Sequence, residues 1–128
     1  MKAKKTALIV TDGTGPVHEM AERIAAALTG FTVTLRAASG FAGTDMLPAD
    51  ICFFGCAVPR PASFAYLEEL LQHINLAGRP CGIFSPGSKE AAAYLARMVH
   101  DSELALNPEP LLEIPALTQW VARVIKQG

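Results

Sequence analysis

Short apolar runs alternate along this chain with longer stretches of helical periodicity, and this order restricts the fold more than any other feature. Residues 7–10 (Ala-Leu-Ile-Val) make the first run, continuous enough to be a strand buried on both faces. From Pro16 the pattern turns helical, with Val17, Met20, Ala21, Ile24 and Leu28 on one face. Pro16 suits the first helical position and Gly30 the C-terminal stop. Phe31, Val33 and Leu35 alternate with Thr32, Thr34 and Arg36, which predicts a half-buried second strand.

Residues 37–49 contain Gly40, Gly43 and Pro48 among scattered apolar residues and predict a loop with at most a short helix. Residues 51–57 are the most apolar run and predict a central strand. After Pro59 and Pro61, the residues Phe64, Leu67, Leu70, Leu71 and Ile74 mark a second long helix. A fourth strand over 81–85 ends in the turn Ser85-Pro86-Gly87-Ser88, and a third helix follows over 89–99. Residues 104–114 predict a fifth strand, placed at a sheet edge because Pro108 and Pro110 lack ladder donors. Pro115 opens a closing helix with Leu117, Trp120, Val121 and Val124 on one face.

Strands alternating with helices predict a parallel sheet with right-handed crossovers. The expected fold is α/β: a three-layer α/β/α, doubly wound, five-stranded parallel sheet of order 2-1-3-4-5, with residues 1–128 as a single domain. In such sheets ligands sit beyond the carboxyl ends of the strands, at the switch point between strands 1 and 3. That rule selects the loops 11–16, 57–63 and 85–88.

Composition narrows the function. Eleven Lys and Arg against 12 Asp and Glu leave a formal charge of −1, which favours neither nucleic acid nor an acidic membrane surface. Residues 1–5 are basic, but the apolar run behind them is too short for a signal h-region or a membrane span. The expected location is cytoplasmic, with no membrane and no nucleic-acid partner. Cys52, Cys56 and Cys81 form no CxxC and no zinc-spaced cluster with histidine. Cys52 and Cys56, four apart in an expected strand, would lie ~13 Å from each other, too far to bridge. Buried reduced thiols are expected.

Residues 5–28 resemble the opening of flavodoxins, where a strand runs into a Ser/Thr-x-Thr-Gly-Asn-Thr loop and then a helix. Thr14 and Gly15 match the Thr-Gly of that motif, and Met20-Ala21 fits the helix behind it. Residues 49–56 are similar to the family's third strand and residues 79–85 to its fourth. The resemblance implies FMN and electron transfer to a redox partner protein, through an electron carrier or accessory domain rather than a stand-alone enzyme. It places the phosphate at Asp12, Gly13, Thr14, Gly15, Pro16 and Val17. It places the flavin ring near Ala57, Val58, Arg60, Ser85, Gly87 and Ser88. Phosphate would be held there by backbone N–H groups, hydroxyls and the positive end of the helix.

Three residues depart from the motif. Asp12 stands where the family has a hydroxyl and sets a carboxylate against a dianion. Pro16 replaces Asn and removes a backbone donor. Val17 replaces the second Thr. Loop 57–63 holds no aromatic, and neither do residues 85–91; Phe64 reads as core by its spacing with Leu67 and Leu71. Two expectations follow: an FMN-dependent electron-transfer protein with a weakened phosphate site, or a flavin-free flavodoxin-like interaction or regulatory module.

Other readings of Asp12-Gly13-Thr14 fail on single residues. A haloacid dehalogenase nucleophile would need Asp at Val10, and a receiver phosphoacceptor would need Asp at Gly55 or Cys56. A dinucleotide fingerprint needs a third glycine where His18 stands, and no P-loop Lys follows. His18 reads as a partly exposed surface residue, and His73 and His100 as helix-end cations.

Overall fold

Lys5–Thr11 forms the first strand, β1, and is buried from Ala7 onward. A computed structural model of the chain describes residues 5–126, so of the basic residues 1–5 all but Lys5 lie outside the described residues. Next come α1 (Gly15–Ala27), β2 (Phe31–Ala37), β3 (Ile51–Gly55), α2 (Ala65–His73), β4 (Pro80–Phe84), α3 (Lys89–His100), β5 (Ala105–Leu106) and α4 (Leu117–Lys126). The strands form one parallel sheet in the order β2-β1-β3-β4-β5. This is the expected order, with the switch point between β1 and β3.

Alternation along the strands divides the core into two layers. Leu8, Val10, Cys52, Phe54, Cys81 and Ile83 face α2 and α3, where they meet Leu67, Leu71, Leu95 and Val99. Ala7, Ile9, Ile51, Phe53 and Phe84 face α1 and α4, against Met20, Ile24, Trp120 and Val124. Two glycines make room for aromatic rings in the second layer. A Cβ on Gly82 would lie 2.7 Å from the Trp120 ring, and one on Gly55 would lie 2.2 Å from the Phe84 ring. Both strand positions therefore need a residue with no side chain.

The fifth strand and the end of the third differ from the sequence expectation. The fifth strand, expected over 104–114, has only two residues, Ala105–Leu106. Pro108 and Pro110 cannot donate to a ladder, and the Asn107 side chain turns the chain by accepting from Glu109 N at 2.9 Å. The chain returns to the sheet only at Leu111, which bridges Phe84. β3 ends at Gly55, so Cys56 and Ala57 belong to the loop rather than to the strand expected over 51–57. Residues 37–49 hold two short 3-10 turns (Ala38–Gly40 and Gly43–Asp45), and Arg79 ties down the end of this segment. Its Nη1 donates to the carbonyls of Met46, Leu47 and Ala49 at 2.8–3.2 Å. Among the described residues no helix is long and apolar enough to cross a membrane.

Candidate functional site

The loop between β1 and α1 begins where the strand leaves the core. Thr11 is buried, and its hydroxyl oxygen accepts from Gly13 N at 3.2 Å. Gly13 takes φ +82, a conformation that glycine adopts without a Cβ clash. Gly13, Thr14, Gly15 and Pro16 are exposed, and Pro16 starts α1 as its fixed φ allows.

Asp12 organises this loop. Its Oδ1 accepts from Thr14 N at 3.0 Å and from the Thr14 hydroxyl at 2.7 Å. Its Oδ2 accepts from Ala57 N at 2.8 Å, across the switch point, from a residue 45 positions away. Hydrogen bonds to an ionised acceptor are the short, strong kind. The sequence marks Asp12 as a charge opposed to phosphate. The structure adds that the same carboxylate takes up one N–H group from each loop, Thr14 N and Ala57 N, together with the Thr14 hydroxyl. Asp-Gly-Thr is also an Asx-turn signature, and that local signal is enough to foretell the contact to Thr14.

The remaining predicted residues are placed as follows. The Val17 side chain is fully buried in the layer facing α1 and α4, so it does not line the loop. Val58 is 55% exposed beyond Ala57. Phe64 and Tyr94 are both buried, with ring centroids 6.5 Å apart, and Tyr94 lines the same cleft as Arg60 of loop 57–63. In loop 85–88 the backbone is committed to the segment after Pro110: Ser85 N donates to the Leu111 carbonyl at 2.9 Å and Gly87 N to that of Leu112 at 3.0 Å. Ser88 Oγ caps α3 by accepting from Ala91 N at 3.1 Å. Ser85 Oγ is buried without a hydrogen-bond partner. Arg60 lies with α2 and α3 residues, among Glu68, Gln72, Tyr94, Arg97 and Met98. Spacing alone puts Glu68 with Gln72, and Tyr94 with Arg97 and Met98, on common helical faces, but nothing local joins the two faces to Arg60.

The thiols offer no chemistry. All three cysteines are free and buried. Burial pushes Cys52 up to about 12 against a lesser pull from Arg79, and Cys56 up to about 12 with help from the Asp12 carboxylate. Cys81 is raised as well, by burial first. The nucleophile is the thiolate. At about pH 8 a thiol titrating near 12 is ionised only ~10⁻⁴ of the time. The expected result is no reaction with a disulfide reagent in the folded protein and three thiols released on denaturation. Rapid modification of Cys56 in the folded state would contradict this. His18 pairs with Glu22 on the helix surface at 3.4 Å, and no group of three metal-ligating side chains occurs among the described residues.

No protein-family model matches the sequence, and no curated protein matches it either. Solved structures do match. A short-chain flavodoxin associated with a non-canonical PDU bacterial microcompartment superposes with a TM-score of 0.80 at 20% identity, covering 95% of this chain and 97% of that one. Flavodoxin 2 from Bacillus cereus gives 0.77 at 18% identity over 96% and 97%. The Streptococcus pneumonia TIGR4 flavodoxin gives 0.74 at 19% identity over 95% of each chain. The chain has the flavodoxin-like fold.

Proposed function

We propose that this chain uses the flavodoxin-like fold without FMN in the phosphate seat, as an interaction or regulatory module. The Asp12 carboxylate carries this reading, because it holds Thr14 N, the Thr14 hydroxyl and Ala57 N. Each donor withheld from a charged ligand costs about 1.5–3 kcal/mol. The carboxylate opposes a unit of phosphate charge ~5 Å away by about 3 kcal/mol at an effective dielectric of ~20. A nanomolar cofactor needs about 12 kcal/mol in all, so these losses remove most of the affinity. With the loops closed on each other, the face at the carboxyl ends of the strands presents exposed Val58 and the Gly13–Gly15 turn to a protein partner.

One observation favours a second reading, FMN-dependent electron transfer to a redox partner. Ser85 Oγ, at the carboxyl end of β4, is buried and unpartnered, and a ligand seated between the loops 57–63 and 85–88 would satisfy it. Reconstitution with FMN separates the two. The module takes up no flavin, whereas the electron carrier retains it through desalting.

A further inference from the structure

A cleft of about 430 Å³ opens between α2 and α3, and loop 57–63 closes one end of it. Its floor is the buried pair Tyr94 and Met98, with the tyrosine hydroxyl 3.6 Å from Met98 Sδ. Glu68 and Gln72 line it from α2, Arg97 from α3 and Arg60 from the loop. The Glu68 carboxylate faces the Tyr94 hydroxyl; with burial as the larger cause, it raises that group's pKa. Arg60 acts on the same hydroxyl as the smallest, opposing influence.

Among the described residues neither Arg60 nor Arg97 makes an ion pair or a hydrogen bond. Arg97 lies in the last turn of α3, where the helix dipole favours a cation. No such reason accounts for Arg60. It sits at φ +50, in the left-handed region, between Pro59 and Pro61. Gly, Asn or Asp would take that conformation more readily. A long cationic side chain is thus held at a strained backbone position, on a stiff segment, over a cleft that contains a second unpaired guanidinium.

We infer that this cleft binds a small oxyanion, a carboxylate or phosphate group of a metabolite-sized ligand, between the Arg60 and Arg97 guanidinium groups. Guanidinium forks match the paired oxygens of carboxylates and phosphates. The volume lies within the range of small-molecule sites. Gln72 adds a neutral donor, and the excess of two cations over one carboxylate leaves the cleft net positive. This inference is independent of whether the Asp12 loop takes FMN.

Calorimetric titration of the full chain with inorganic phosphate and, separately, with succinate tests it and tells the two oxyanion types apart. At least one probe is expected to bind saturably with one site per chain. Arg60→Asn and Arg97→Gln should each weaken binding by about tenfold or more, while Arg36→Gln, on β2, leaves it unchanged. Arg60→Asn should keep or raise the Tm, since Asn tolerates the left-handed conformation; a merely structural arginine would lower it. Absence of saturable binding by both probes, or wild-type affinity in the Arg60 and Arg97 variants, overturns the inference.

Discussion

Replacing Asp12 with Ser is expected to tighten FMN binding by about a hundredfold or more, bringing it into a measurable micromolar range. The change removes the charge that opposes phosphate by about 3 kcal/mol at ~5 Å. It also frees Thr14 N, the Thr14 hydroxyl and Ala57 N from their present acceptor. Adding Val17→Thr, which the motif alone would recommend, is expected to contribute little. Val17 is fully buried in the layer facing α1 and α4, so the new hydroxyl enters the core. Burying a hydroxyl without a partner costs about 1–3 kcal/mol. The Asp12→Ser variant should itself lose about 1–2 kcal/mol of stability, because Ala57 N loses a charged acceptor across the switch point. Flavin fluorescence quenching measures the affinity and urea denaturation the stability. An unchanged affinity would show that Asp12 is not what keeps phosphate out.

The largest loss of stability is expected from Trp120→Ala, at about 3–5 kcal/mol. Trp120 is 1% exposed, and its ring centroid lies 5.6 Å from that of Phe53. It rests over Gly82, where even a methyl group would collide with it. Its Nε1–H donates to the Glu109 carbonyl at 2.7 Å, which anchors the Pro-rich segment after β5 to α4. Truncation leaves a cavity between α4 and β4 and an acceptor without its donor. Domains of this kind are stable by only about 5–15 kcal/mol, so the variant retains little margin. Urea denaturation followed by circular dichroism reads the change, since Trp120 is the chain's single tryptophan. Trp120→Phe should recover most of the packing but not the hydrogen bond. A loss below about 1 kcal/mol for Trp120→Ala would mean that the ring is not packed as described.

Much of this fold is legible in the sequence because its signals are local. The run at 7–10, the helical face from Val17 to Leu28 and the alternation from Phe31 to Arg36 each state their own period. The order of those elements then fixes a parallel sheet and its switch point. The fifth strand is misjudged in length because apolar content over 104–114 says nothing about where the prolines and the Asn107 turn interrupt pairing. At the site, the charge of Asp12 and its turn with Thr14 are local and legible. Its bond to Ala57 joins loops 45 residues apart and depends on strand order and register. The cleft at Arg60 is invisible for the same reason: two helices and a loop meet there only once the sheet has assembled.

The most direct test of the closed Asp12 seat is a fluorescence titration of the wild-type protein into FMN. With Asp12 holding Thr14 N, the Thr14 hydroxyl and Ala57 N, flavin fluorescence should stay unchanged up to about 100 μM protein, a ceiling that corresponds to less than ~6 kcal/mol of binding. Saturable quenching at low micromolar concentration, with one flavin per chain, would contradict the closed seat and restore the electron-transfer reading.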